Sequence, residues 1–348
     1  MARFRFATWN IEWFNALFDA EDRLIADEGA SARFGITRRA QAEAIALVLA
    51  RLDADALLIV EAPDHSRRRS TVRALEGFAA QADLRSRAAI IGYPNETQQE
   101  IALLYDPDRL SLFHDPRGVV AARTLGEGPA PRFDRSVRLD VQGNGAPEPI
   151  SFSKPPLELA LTIGARKLRL VGVHIKSKAP TGARSADEAV ALQISNRRKQ
   201  LAQCLWLRAR MVEDLKAGED VIVLGDFNDG PGLDEWESLF GQSGVEIVMG
   251  EAGALQLYDP HARMALAQRG GAQPATARFL VPDLASGNRY WLSALLDYIM
   301  ISERLRSCAP AWRIWHPFDD PDCYVDAALR EALLTASDHF PVTLDLDL

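Results

Sequence analysis

VIVLGDFND, residues 221–229, runs apolar through Leu224 and turns acidic within one residue of Gly225. The apolar half reads as a buried β-strand. On an extended chain Asp226 and Asn228, two apart, project to the same side. A turn explains the glycine and the polar residues, with Asp229 shaping it beside Gly230, but it does not explain why similar strand ends recur. RFRFATWNI ends on Asn10, ADALLIVEA carries Glu61, KLRLVGVHIKS carries His174, and Asp338–His339 stand directly before FPVTL. Each alone is an ordinary cap, turn or exposed carboxylate. Together they read as polar ends of buried strands gathered into one crevice.

The intervening sequence supplies the rest of a layered α/β pattern. ITRRAQAEAIALVLARLDA, residues 36–54, has helical spacing, with Ile36, Ala40, Ala44, Leu47, Val48 and Leu52 on one broad face. It separates two strands. IALLYDP and ARFLVPD read as further strands, and the run from Asp187 to Gly218 as one long amphipathic helix ended by its glycine. WLSALLDYIMIS and HFPVTLDLDL read as the last two strands, with VDAALREALLTA a short helix between them. Residues 141–156 read as a hairpin tip or loop, and 251–279 as an excursion on the substrate side. Convincing strands flank both, so a single domain over 1–348 is expected.

Composition narrows the function classes. The chain has 348 residues, 47% hydrophobic and 25% charged, with formal net charge -8. An acidic chain is a poor nonspecific binder of nucleic-acid phosphates, although a local basic patch would suffice. RRR at 67–69 and RRK at 197–199 are candidates, each more simply a solvated face. Cys204, Cys308 and Cys323 are too scattered for a disulfide framework or a zinc site, and Cys204 reads as core. No apolar run approaches ~20 residues. The expectation is a soluble, cytoplasmic protein with no stable membrane insertion and no inferable protein partner.

His65, His114, His261 and His316 lack a strand-end setting comparable to His174 and His339. No HExxH, GxSxG, P-loop or intact dinucleotide fingerprint is present, which disfavours zinc protease, hydrolase-triad, nucleotide-hydrolysing and dehydrogenase chemistry. Six motifs in order carry a resemblance: TWN at 8–10, VEA around Glu61, HIKSK at 174–178, GDFND at 225–229, LDYI at 296–299 and SDHFPV at 337–342. The series resembles that of the endonuclease/exonuclease/phosphatase superfamily, which includes DNase I-like nucleases, AP endonucleases, sphingomyelinases and inositol polyphosphate phosphatases.

The resemblance implies a DNase I-like α/β fold, a two-sheet sandwich flanked by helices. It also implies a site. Glu61 would be the most direct metal ligand, with Asn10 and Asp338 beside it. His339 would lie closest to the attacked phosphate and Asp297 would orient it. Asp226 is a candidate for positioning or deprotonating water, and Asn228 for steadying a phosphoryl oxygen or a second metal. His174 would donate to a phosphoryl oxygen, with Glu100 its orienting partner. Lys176 and Lys178 would attract phosphate, and Tyr105 is a packed aromatic held only as a weak phosphate contact. Oxygen ligands suit Mg²⁺, with Mn²⁺ as substitute, over zinc.

The activity so implied is divalent-metal-dependent phosphodiester hydrolysis of a phosphate-ester substrate, with nucleic acid leading. The alternatives are a phosphomonoesterase acting on a small or lipid-linked phosphate, and a catalytically inactive binding protein of the same fold. SGNRYWLSALLDYI lacks the aromatic, arginine-rich approach to the aspartate of AP endonucleases. No apolar membrane-contact hairpin of the sphingomyelinase type is evident.

Overall fold

The computed structural model describes residues 2–121, 123–140, 145–231, 241–267, 273–282 and 289–348. The start of the 141–156 segment, 141–144, and the middle of the 251–279 segment, 268–272, lie outside the described residues. So do the first residues of the SGNRYWLS stretch.

Two six-stranded sheets pack face to face. The first orders β16 (Ala311–Ile314), β17 (Val342–Asp347), β1 (Arg3–Asn10), β2 (Ala56–Ala62), β4 (Glu100–Tyr105) and β3 (Ala88–Ile91). The second orders β12 (Leu257–Tyr258), β15 (Asp297–Ser302), β11 (Val221–Asp226), β10 (Arg166–His174), β9 (Leu157–Ile163) and β5 (Ser111–His114). Small accessory sheets hold β6 (Arg123–Thr124), β7 (Ser136–Leu139) and β8 (Glu148–Ser151), and a β13 (Ala277–Pro282)–β14 (Arg289–Ala294) hairpin.

Helices cover both outer faces. α1 (Arg38–Leu52), α2 (Thr71–Gln81), α6 (Pro321–Val325) and α7 (Ala327–Ala336) share one core with the first sheet. α3 (Ala186–Lys216), α4 (Gly244–Met249) and α5 (Pro260–Ala267) share another with the second. A third core lies between the sheets. This is the α/β DNase I-like sandwich. Among the described residues no helix is long and apolar enough to cross a membrane.

Period-two alternation decides where the polar ends go. Phe4 and Phe6 of β1, Leu168 and Leu170 of β10, Ile222 and Leu224 of β11, and Ile299 and Ile301 of β15 all face the inter-sheet core. Extending each row by its period reaches Asn10, His174, Asp226 and Asp297. The crevice is therefore the open end of the apolar layer. Gly172 sits beneath it, where a Cβ would come within 2.3 Å of Leu58 Cδ1 on the opposite sheet.

Several local expectations change. WLSALLDYIMIS is two strands, because β14 turns out to pair with β13 and only Asp297–Ser302 enters the second sheet. The buried face of α1 is Gln41, Ala42, Ala44, Ile45, Val48, Leu49 and Leu52, with Ala40 and Leu47 only half-buried. Gln41 belongs there because its amide donates to Glu12 O and Ala336 O at 2.9 and 3.0 Å. Arg197 is no solvated residue: it is fully buried and paired with Asp229 at 2.6 Å. Tyr105 stands opposite Ala56, at the end of β2 remote from Glu61, which removes it from the phosphate contacts.

Candidate active site

Strand register assembles one wall. In the parallel β10–β11 pair His174 is opposite Asp226, and in the antiparallel β11–β15 pair Asp226 is opposite Asp297. The three side chains thus form a row across the second sheet. Gly225 makes the row possible: at φ 137°, a Cβ there would lie 2.0 Å from Val173 O. Asp226 is tied on three sides. Its Oδ1 accepts the Asn228 N–H at 2.7 Å, and its Oδ2 accepts from Asn10 Nδ2 and Asn228 Nδ2, each at 3.0 Å. Asn228 also donates to Ile175 O at 3.1 Å.

The first sheet supplies the facing wall. Val60 points into the inter-sheet core, so strict alternation would turn Glu61 away from it. Glu61 instead occupies a register shift between Val60 and Ala62 at φ 60°. Such a bulge re-aims a side chain. Its carboxylate accepts the Trp13 N–H at 3.4 Å and lies within the field of Lys154, His339 and Asp338.

A hydroxyl and a threonine hold the histidine loop. Ser337 Oγ donates to Asn10 O at 2.7 Å and accepts from the N–H of Glu12 and of His339 at 3.1 and 3.2 Å. Thr276 Oγ1 accepts the N–H of both Leu296 and Asp297 at 2.9 Å, while Thr276 O accepts the Phe340 N–H at 2.6 Å. The tail of the 251–279 segment therefore does reach the site. Its β12 does not, because Leu257 pairs with Ser302 at the far end of β15.

His339 Nδ1 is 2.8 Å from Asp297 Oδ2. Burial opposes a charged ring there, but Asp297, with Asp226 and Asp338, outweighs burial and holds His339 well above its ordinary value. His174 is the opposite case. Burial, then the charges of Lys154, His339 and Lys176, hold it well below the ordinary value. Lys154 Nζ is 3.1 Å from His174 Nδ1. His174 Nε2 lies 3.4 Å from the same Lys154 Nζ and 3.7 Å from Asp226 Oδ2.

The carboxylates are also perturbed. Burial and then Asp297 push Asp226 up to about 7 against the pull of His339 and its hydrogen-bond donors. Burial raises Glu61, opposed by Lys154 and His339. Glu12, which the motif reading passes over, is pushed up to about 7 by burial and Asp338, despite its ion pair with Arg33.

Glu100, Lys178, Asp229 and His114 stand in settings other than those expected. Glu100 takes its hydrogen bonds from Asn95, 2.7 Å from the amide nitrogen, while the described polar neighbours of His174 are Lys154 and Asp226. Lys178 spends its charge on Asp229 at 2.7 Å, and Asp229 also binds Arg197 and the Gly244 N–H. Asp229 is thus a buried anchor rather than a turn former. His114 does end β5, but at the sheet edge, its ring edge-on to Tyr93. Lys176 is half-buried, its own N–H donated to Gln203 Oε1 at 2.9 Å. Lys154 is among the residues that sequence reading missed; its position in SFSKPP, between two short strands, carries no strand-end signal.

The donor set fits a hard divalent cation. Carboxylate oxygens of Asp226 and Asp297 lie within 4.8 Å of each other beside His339. Asn10 Oδ1 and Asp297 Oδ1 are buried and accept no hydrogen bond from the protein. Buried oxygens without donors, among carboxylates that burial leaves short of counter-charge, suit a Lewis acid with oxygen preference.

Solved structures share the architecture. Truncated TDP2 from Caenorhabditis elegans is 13% identical, with 99% of this chain and 97% of that chain covered at a TM-score of 0.51. TDP2 from D. rerio, complexed with single strand DNA product, is 13% identical with 100% of each chain covered at 0.50. Identity this low speaks to fold alone. No curated protein matches the sequence. The endonuclease/exonuclease/phosphatase family model matches residues 7–339, a span from β1 to His339 that takes in every side chain of the site, and the chain belongs to that family.

Proposed function

We propose that this protein is a divalent-metal-dependent phosphodiester hydrolase acting on nucleic acid. The observation that carries this reading is the buried row His174–Asp226–Asp297 with His339 held against Asp297, around buried oxygens that accept no hydrogen bond from the protein. Glu61, Asn10 and Asp338 hold the cation, Mg²⁺ or Mn²⁺, with Asp226 and Asp297 adjoining. When bound, it offsets charge on the phosphoryl oxygens.

The protein's own groups divide the remaining work. Asp226, near neutrality and fixed by Asn10 and Asn228, takes the proton of the attacking water as its oxygen bonds to phosphorus. His339, with Nδ1 held at Asp297, gives its Nε2 proton to the leaving oxygen as the bond from that oxygen to phosphorus breaks. His174 offers a ring N–H to a second phosphoryl oxygen, with Lys154 Nζ beside it at 3.1 Å. Asn228 steadies the Asp226 wall.

The charge balance favours a diester. Glu12, Glu61, Asp226, Asp297 and Asp338 surround the site, and a monoanionic diester meets less repulsion there than a dianionic monoester. The test is turnover of single-stranded DNA, duplex DNA, RNA and a phosphomonoester, each with and without Mg²⁺ or Mn²⁺. Metal-dependent cleavage of a nucleic-acid diester is expected. Activity confined to monoesters contradicts it.

A further inference from the structure

The β13–β14 hairpin stands at the rim of this site, and its root is bound to the histidine loop. Ala277 bridges to His339, and the Arg278 N–H donates to Asp338 O at 2.8 Å. One face of the hairpin pairs Arg278 with Ser293 and Leu280 with Trp291. That face leaves large apolar groups in solvent: Trp291 is 59% exposed and Leu280 42%.

Arg278 lies between two rings. Its guanidinium carbon is 4.8 Å from the Trp291 centroid and 5.3 Å from that of Phe318, itself 43% exposed. Phe318 is anchored inward, its N–H donated to His316 Nδ1 at 3.3 Å. The His316 ring meets Phe340, the residue after His339, at 4.8 Å. Rings and one guanidinium therefore run without a break from open solvent to the neighbour of His339.

We propose that Trp291, Arg278 and Phe318 form a stacking platform for an unpaired nucleobase of the substrate strand, flanking the phosphate to be cleaved. The proposal rests on the reading of the site as a nucleic-acid diesterase. Exposed ring faces stack any base without reading sequence, and an arginine among them both stacks and attracts the neighbouring phosphate. In a duplex the base faces are already stacked, so the platform selects unpaired strand. A lipid-insertion surface would place apolar groups at its centre; here the centre is a cation.

The experiment compares W291A, W291F and wild type, each in an H339A background that blocks turnover, by fluorescence anisotropy with Mg²⁺ present. The probes are a single-stranded oligonucleotide and an abasic oligomer of equal length. W291A is expected to weaken the base-bearing strand about tenfold, leave the abasic strand within about twofold, and be rescued by W291F. Equal losses on both strands, no loss on either, or no rescue overturn the platform. Binding of phosphatidylglycerol vesicles that W291A abolishes, with oligonucleotide binding unchanged, overturns it in favour of a membrane surface. The binding readout is separate from turnover, so an inactive wild type counts against the hydrolase reading while the platform is still decided by anisotropy. Equal thermal midpoints confirm that all variants are folded.

Discussion

His339 Nδ1 and Asp297 Oδ2 lie 2.8 Å apart with both side chains buried, and that pair determines which proton the histidine offers. The carboxylate keeps the ring charged and turns Nε2–H toward the crevice. D297N removes the charge and little of the shape. It is expected to lower kcat/KM at least about 100-fold and to move the alkaline limb of the pH profile to lower pH, because the imidazolium is no longer sustained. An alkaline limb that stays in place contradicts the role given to His339.

Cation binding should register as stability. A ligand that binds only the folded chain raises Tm as its concentration climbs. Mg²⁺ or Mn²⁺ is expected to raise the Tm of the wild type, and E61Q or N10A to remove more than half of that rise. Glu61 reaches the crevice through its bulge, and Asn10 Oδ1 has no protein donor. Equal rises in all three proteins contradict the assigned ligands.

Protonation of the carboxylates gives the stability a slope with pH. Asp226 is pushed up to about 7 from 3.8. A raised carboxylate contributes its stability fully below the unfolded value, and this is lost as pH rises toward the folded one. The window here is about pH 4 to 7. His339, raised above its ordinary value, keeps its contribution in full up to about pH 6.5 and loses it as pH rises through its folded value. Without metal, the Tm of D226N relative to wild type is therefore expected to be higher at about pH 8 than at about pH 5. The reverse order contradicts the burial of Asp226 as a strained acid.

Much of this arrangement was legible in the sequence because it follows from period two. Asn10, His174, Asp226 and Asp297 each continue an apolar row, Asp226 and Asp297 one step on and Asn10 and His174 two, past Thr8 and Gly172, so the rows announce where they end. Glu61 escaped that logic: a bulge and a positive φ aim it, and neither leaves a local signal. Lys154, Glu12, Ser337 and Thr276 were invisible for a different reason. They are brought in by tertiary packing from segments whose own pattern says only loop or cap. Arg197 misled for the same cause, since a charged residue on a helix reads as solvated until Asp229 meets it, and Lys178, read as a phosphate contact, is held by Asp229 as well. The unbroken apolar texture of WLSALLDYIMIS hid the break at Leu295–Leu296 that separates the hairpin from the sheet.

Gly225 offers a test of the backbone itself. G225A places a methyl 2.0 Å from Val173 O at a φ of 137°. The loss of stability in denaturant is expected to exceed about 2 kcal/mol, with activity falling as β10 and β11 separate. A variant of wild-type stability contradicts the close approach that sets His174 opposite Asp226.

The central claim is that one crevice joins a cation to His339 for phosphodiester hydrolysis. It is tested most directly by the initial rate on a labelled single-stranded oligonucleotide, measured for wild type and H339A with Mn²⁺ and again in chelator. The account predicts turnover for the wild type with metal alone, and a loss of at least about 100-fold in H339A of unchanged Tm. Equal turnover in chelator, or H339A as active as wild type, contradicts it.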